Sequence, residues 1–240
     1  MNAATRPHGA VAMETQVNAI VLFGAPGSGK GTQAKLLHEC LRIPHVSTGE
    51  ILRERIRSGA ENGSGVADTM HSGDLVADDL VNQLVKERLS EPDAKAGFIL
   101  DGYPRTTAQA AHLLSWFEAH RIQEVVIYLS IDYNTVIARL RGRRQCPQCG
   151  TLYNIVSQPP RVDSLCDLDG HALVIRDDDR EEVIRERLDA YKRQTSPVLE
   201  FFRDAGRRVK EVDAGDAPPE EIYSKIIRAL DWNDRTEDRR

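Results

Sequence analysis

Two hydrophobic rhythms alternate along the chain. Short runs apolar at nearly every position are Ala19-Ile20-Val21-Leu22-Phe23, the stretch through Phe98-Ile99-Leu100, and Val125 to Ile131; briefer ones sit at His45-Val46-Ser47 and Arg208 to Asp213. Between them, apolar residues recur every three or four places. Lys30 to Leu41 carries Ala34, Leu37 and Leu41, and a segment that Asp78 is expected to cap carries Leu80, Leu84, Val85 and Leu89. Thr48 to Ser58, a stretch ending near His71, Thr106 to His120, Asn134 to Arg141, Arg180 to Phe202 and Pro219 to Leu230 also read as helices. Runs apolar on both faces suit parallel strands covered by helices on each side. The alternation predicts a doubly wound α/β fold with a five-stranded parallel sheet, which binds ligands at the carboxyl ends of its strands.

The rhythm fails in two places, both leaving from that side of the sheet. Residues 47–76 are broken by Gly59, Gly63 and Gly65, and predict a small helical lobe. Residues 142–179 hold Pro147, Pro159, Pro160 and three cysteines with no helical period, and predict a β-rich lid. The core is then 18–46, 77–141 and 180–232, with a flexible extension at 1–17 and a loose charged tail at 233–240.

Composition narrows the field. With 240 residues, 40% hydrophobic and 29% charged, the chain has the balance of a globular protein. Its net charge of -5 gives no basic field for nucleic acid or an anionic membrane, and no apolar run approaches membrane-span length. Residues 1–16 lack the apolar block of a signal peptide.

The first strand leads into Gly24-Ala25-Pro26-Gly27-Ser28-Gly29-Lys30-Gly31-Thr32. This is Gly-x-x-x-x-Gly-Lys between a strand and a helix, although Gly31 replaces the usual Ser or Thr and Thr32 comes one place late. Glycines let successive N–H groups curl around phosphates, the helix brings its positive end to the same spot, and the lysine reaches the outer phosphates. In the lid, Cys146-Pro-Gln-Cys149 and Cys166-Asp-Leu-Asp169 form two knuckles able to offer Cys146, Cys149, Cys166 and Asp169 to one structural Zn²⁺; His171 competes for the fourth place. Three reduced thiols without metal are the alternative. Cys40, on the first helix, reads as a buried thiol.

Three signatures in order resemble those of adenylate kinase, a nucleoside monophosphate kinase family: the glycine loop, Ser47-Thr48-Gly49-Glu50-Ile51-Leu52-Arg53, and Asp101-Gly102-Tyr103-Pro104-Arg105-Thr106. The likeness covers roughly Ala19 to Leu230 and is closest to the long-lid, zinc-bearing bacterial type. It implies reversible Mg²⁺-dependent phosphoryl transfer from ATP to AMP, giving two ADP, by a monomeric cytoplasmic enzyme. By the same resemblance, ATP is held by Gly27, Ser28, Gly29, Lys30, Gly31, Thr32, Arg139, Arg143, Leu152 and Tyr153. AMP is held by Thr48, Arg53, Asp74, Leu75, Val76, Gly102, Tyr103, Pro104, Arg105, Gln109, Arg176 and Arg187. Catalysis falls to Lys30, Arg105, Arg143, Arg176 and Arg187, with Asp101 at the water shell of Mg²⁺. Tyr103 stands where many relatives carry Phe, and Asp216 falls where the donor adenine is often met by a main-chain carbonyl.

Three rivals remain from the sequence. A kinase for UMP, CMP or GMP would differ in few contacts, and Thr48 and Gln109 speak for AMP. A P-loop nucleotide switch would not need Arg53, Arg105 and Gln109. A zinc-ribbon nucleic-acid binder is disfavoured by the Asp-rich lid, which has no basic and aromatic stripe.

Overall fold

The computed structural model describes residues 18–59, 63–215 and 217–230. The expected extension, the tail and Asp216 lie outside them. Five parallel strands form the central sheet in the order β2-β3-β1-β4-β7: β1 (Ala19–Phe23), β2 (His45–Ser47), β3 (Phe98–Asp101), β4 (Glu124–Ser130) and β7 (Val209–Asp213). Strand β1 is buried throughout and its side chains divide by turns. Ala19, Val21 and Phe23 enter one apolar cluster, while Ile20 and Leu22 enter the other. That two-sided burial is why the run shows no polar alternation.

Helices α1 (Lys30–Leu41) and α9 (Pro219–Leu230) cover the Ile20 face, with Leu37 and Ile226 fully buried. Helices α4 (Asp78–Leu89), α5 (Thr107–His120) and α8 (Ser196–Asp204) cover the other, around Phe98, Phe117 and Phe202. Helices α2 (Thr48–Arg57) and α3 (Gly63–Ser72) make the first lobe, and Gly63 and Gly65 lie in the first turn of α3. Helix α6 (Tyr133–Gly142) leads into the lid, and α7 (Glu181–Ala190) leads out of it.

The lid holds one antiparallel ribbon, β5 (Arg143–Gln145) with β6 (Leu152–Asn154), and single bridges such as Gln145 to Val174. Turns make up most of the rest. Its apolar centre is only Cys146, Tyr153 and Cys166 with Leu173 beside them, too little to organise a larger sheet.

Three sequence expectations change. The helix expected over Arg180 to Phe202 is interrupted by a π-helical turn, Tyr191–Thr195, just before Pro197. Proline has no N–H to give the preceding turn, so the ladder widens there and restarts with Pro197 in the first turn of α8. Asp78 does not cap α4. The cap position is Ala77 with no side-chain bond, and Asp78 turns its carboxylate to Thr106 and Gln109 instead. Cys40 is exposed on α1, because only Gln33, Ala34 and Leu37 of that helix are buried.

Phe117 is fully buried, with the rings of Phe98 and Trp116 at 6.2 and 6.0 Å. Phe117→Ala is expected to cost about 3–5 kcal/mol in urea unfolding, from lost burial plus the cavity left behind. Exposed Cys40→Ser is expected to change stability by less than about 0.5 kcal/mol.

Candidate active site

The strand order brings the carboxyl ends of β1, β2 and β3 together, with Asp101 in register with Leu22 on one side and Ser47 on the other. The glycine loop leaves β1 at this edge. A Cβ on Gly24 (φ 150°) would lie 2.8 Å from the Leu129 carbonyl oxygen of β4, so only glycine lets the loop turn that closely. Lys30 begins α1 and folds back, its Nζ donating to the carbonyls of Gly24 (2.7 Å) and Ala25 (2.8 Å). No side chain caps the start of α1. The Ser28 hydroxyl is buried and has no hydrogen-bond partner among the described residues.

Around the loop lies a cavity of about 650 Å³. Every nucleotide-site residue expected from the sequence lines it except Ser28, which sits behind the loop. Asp101 closes β3, with Oδ2 at 3.3 Å from His45 Nε2 and 3.3 Å from where a Cβ on Gly31 would stand. Burial alone would raise its pKa. The His45 hydrogen bond and the charges of Lys30, His45 and Arg105 outweigh that, and its carboxyl stays below the usual range.

On the first-lobe side, Thr48 Oγ1 and Arg105 Nε both donate to the Gly102 carbonyl, at 2.8 and 2.7 Å. The Thr106 side chain caps α5, and Gln109 next to it is 1% exposed. The Asp74 carboxylate accepts from Ser72 Oγ at 3.1 Å at the exposed mouth. On the lid side, Arg139 donates to the Gly215 carbonyl. Arg143 pairs with Asp179, Arg176 makes a two-point pair with Asp178 at 2.9 and 2.7 Å, and Arg187 reaches both acids at 3.3 and 2.9 Å.

Asp178 and Asp179 hold the arginines of the cavity in ion pairs, a contribution that sequence reasoning missed. The signal was the run Asp177-Asp178-Asp179 directly after Arg176, which reads in one dimension as the charged end of a lid. In three dimensions the Asp179 side chain is fully buried, and Asp178 lines the cavity. Burial would raise the pKa of Asp178, but Arg187, Arg176 and Arg143 together hold it well below the usual carboxylate range. Tyr191 and Thr195 also reach the cavity, through the π-helical turn that the sequence pattern conceals.

In the lid, one ligand atom from each of Cys146, Cys149, Cys166 and Asp169 lies within 4.8 Å of the others. The two knuckles match: Gly150 N–H returns to the Cys146 carbonyl at 3.0 Å and Gly170 N–H to that of Cys166 at 2.9 Å, both glycines at φ 72°. Three soft sulfurs and one carboxylate at tetrahedral reach suit Zn²⁺. His171 stays at the rim, more than half exposed, with Nδ1 3.3 Å from Asp169 Oδ1.

Burial pushes the Lys30 ammonium down to about 8; Asp101 opposes this, while Arg105, Arg187 and Arg143 add to it. A bound polyanion favours the protonated amine. Binding above pH 8 must therefore take up a proton, and affinity falls as pH rises, by at most about tenfold per pH unit. Titration calorimetry of inorganic triphosphate at pH 7, 8 and 9 should show that fall and the proton uptake. Lys30→Met should bind more weakly and lose the lysine's share of the pH dependence.

Comparison with known proteins agrees with this geometry. Residues 22–229 match the family model described as adenylate kinase. An adenylate kinase of Thermotoga neapolitana is 42% identical over 218 residues, covering 90% of this chain and 98% of the relative. One of Thermosipho melanesiensis is 48% identical over 189 residues (78% and 88%), and one of Methanocella arvoryzae 45% over 211 residues (88% and 97%). A phosphate loop, an arginine-lined cavity and likeness along nearly the whole chain point the same way: this protein belongs to the adenylate kinase family of nucleoside monophosphate kinases.

Proposed function

We propose that the chain catalyses reversible, Mg²⁺-dependent transfer of the terminal phosphoryl group of ATP to AMP, giving two ADP. One observation carries this reading. A single cavity brings Lys30 and its loop together with arginines from the first lobe (Arg53), the core (Arg105) and the lid side (Arg143, Arg176, Arg187). Phosphoryl transfer asks the protein mainly for alignment and charge neutralisation, and separate guanidiniums around one space supply both.

The donor's phosphates lie in the loop from Gly27 to Thr32, facing the uncapped amino end of α1, with Lys30 released from its own carbonyls to the outer phosphate. Arg53 and Arg105 take the acceptor's phosphate. Arg143, Arg176 and Arg187 meet the group in flight, exchanging part of their pairing with Asp178 and Asp179 for phosphate oxygens. Leu152 and Tyr153 of the lid and Arg139 border the donor. Thr48, Asp74, Leu75, Val76, Gly102, Tyr103, Pro104 and Gln109 border the acceptor. Asp101, an ionised carboxylate beside the loop, would hold through water the Mg²⁺ that arrives with ATP and neutralises phosphate charge. The two lobes, 47–76 and 142–179, close over the site and exclude the water that would otherwise accept the phosphoryl group.

We further propose that Cys146, Cys149, Cys166 and Asp169 hold a structural Zn²⁺. The lid's small apolar centre supports this, since small units of this kind depend on a cross-link for stability. The reading also makes the protein a monomer of the cytoplasm. Unpaired cysteines support a reducing compartment, and among the described residues no helix is long and apolar enough to cross a membrane.

The decisive assay follows ADP formation with Mg·ATP alone and with AMP, CMP, UMP or GMP. Rapid turnover is expected with AMP only; equal ADP release without any acceptor would make the chain an ATPase instead. Arg105→Met should lower kcat/KM by at least about a hundredfold, and Arg105→Lys should recover little of it, because a point charge does not replace the planar fork. For the lid, elemental analysis should find about one zinc per chain. Cys166→Ser should lose the metal and lower the melting temperature.

A further inference from the structure

We infer that Asp78 decides which purine the acceptor pocket takes, by fixing the orientation of the Gln109 side-chain amide. The inference rests on the acceptor reading above. Gln109 lines the same cavity as Thr48, Val76 and Tyr103. Its amide is held on both sides: Oε1 accepts the Arg105 backbone N–H at 2.7 Å, and Nε2 donates to Asp78 Oδ1 at 2.7 Å. Rotating the amide by half a turn would set its NH₂ against a backbone N–H and its oxygen against a carboxylate. Both contacts would become repulsive, so one orientation survives.

Asp78 is itself fixed. Its second oxygen accepts the Thr106 hydroxyl at 2.8 Å, and the same hydroxyl oxygen accepts the Gln109 N–H at 3.1 Å. This is what Asp78 does in place of capping α4. It does not line the cavity, so it is a positioning residue that acts through Gln109.

A primary amide has two donor and two acceptor positions. After these two bonds Gln109 keeps one N–H and one lone pair, in a fixed order. The base edge that answers them has a donor opposite Oε1 and an acceptor opposite Nε2. Adenine offers this arrangement with its 6-amino group and N1. A 6-oxopurine offers the reverse, an acceptor at O6 and a donor at N1, and meets Gln109 donor to donor and acceptor to acceptor. A two-point contact of this type separates bases by about tenfold to a hundredfold.

The test compares kcat/KM for AMP and for IMP at saturating Mg·ATP. IMP carries the 6-oxo edge without the 2-amino group of GMP, which isolates the edge from added bulk. Four full-length proteins are needed: wild type, Asp78→Asn, Gln109→Ala and the double variant. In Asp78→Asn the group facing Gln109 can present either its oxygen or its NH₂, so the turned amide is no longer excluded on that side, and the AMP to IMP ratio should fall at least about tenfold, partly through a gain on IMP, with KM for ATP unchanged. Asp78→Glu should recover most of the ratio. On the Gln109→Ala background, Asp78→Asn should change the ratio no further.

An unchanged ratio in Asp78→Asn overturns the inference. So does an equal fall on the Gln109→Ala background, because Asp78 would then act by another route. If Asp78→Asn does not fold, Asp78→Ser is read in the same way. Wild type that turns over neither nucleotide refutes the acceptor reading itself, whereas wild type active on AMP with an unmoved ratio refutes only the role of Asp78.

Discussion

Positive charge buried in one cavity is the constraint on which the rest of the structure depends. Lys30, Arg53, Arg105, Arg143, Arg176 and Arg187 all face the same space. Two like charges 5 Å apart repel by about 3 kcal/mol at an effective dielectric constant of about 20. The fold compensates with carboxylates held against the cations. Asp101 stands beside Lys30, Asp178 between Arg176 and Arg187, and Asp179 between Arg143 and Arg187. The balance is incomplete, because burial and mutual repulsion still push Lys30 down to about 8 and Arg53 and Arg187 to about 10. A site with that residue of unmet charge favours a polyanion.

Meeting this constraint takes contributions from distant parts of the chain. The sheet supplies the meeting point, since β1, β2 and β3 end side by side and set the glycine loop, Thr48 and Asp101 at one edge. Interruptions of regular structure supply much of the rest. The lid entry after α6 carries Arg143, the lid exit carries Arg176 and Asp178, and the π-helical turn brings Tyr191 and Thr195 to the wall. These three departures from the regular helix or strand period each bring a residue to the cavity, where packing rules give way to function.

The wall around Thr48, Gly102 and Gln109 follows a different logic. There the polar groups are neutral or singly charged, and they are consumed in pairs: Gly102 carbonyl with Thr48 and Arg105, Gln109 with Arg105 N–H and Asp78, and Tyr103 with Asn82. A network satisfied to this degree is stiff, and a stiff network presents its remaining donors and acceptors in one arrangement. Charge therefore governs the cavity wall around Lys30 and the lid-side arginines, and hydrogen-bond order governs the wall around Thr48, Tyr103 and Gln109.

The sequence by itself determined the fold class, the five sheet strands to within about a residue, the glycine loop and the four-residue lid cluster. These features are legible because local rules write them. A strand buried on both faces has to be apolar throughout, a phosphate loop needs its glycines at fixed spacing, and a metal knuckle needs two residues between its ligands. The tertiary structure alone decided that Asp178 and Asp179 neutralise the arginines, that Asp78 serves Gln109 from 31 residues away and not its own helix, that Cys40 faces out, and that one helix breaks at Tyr191–Thr195. A carboxylate reads the same in sequence whether it caps a helix, meets water or lies against a guanidinium. Its partner is chosen by which elements the fold packs together, and no local pattern records that choice.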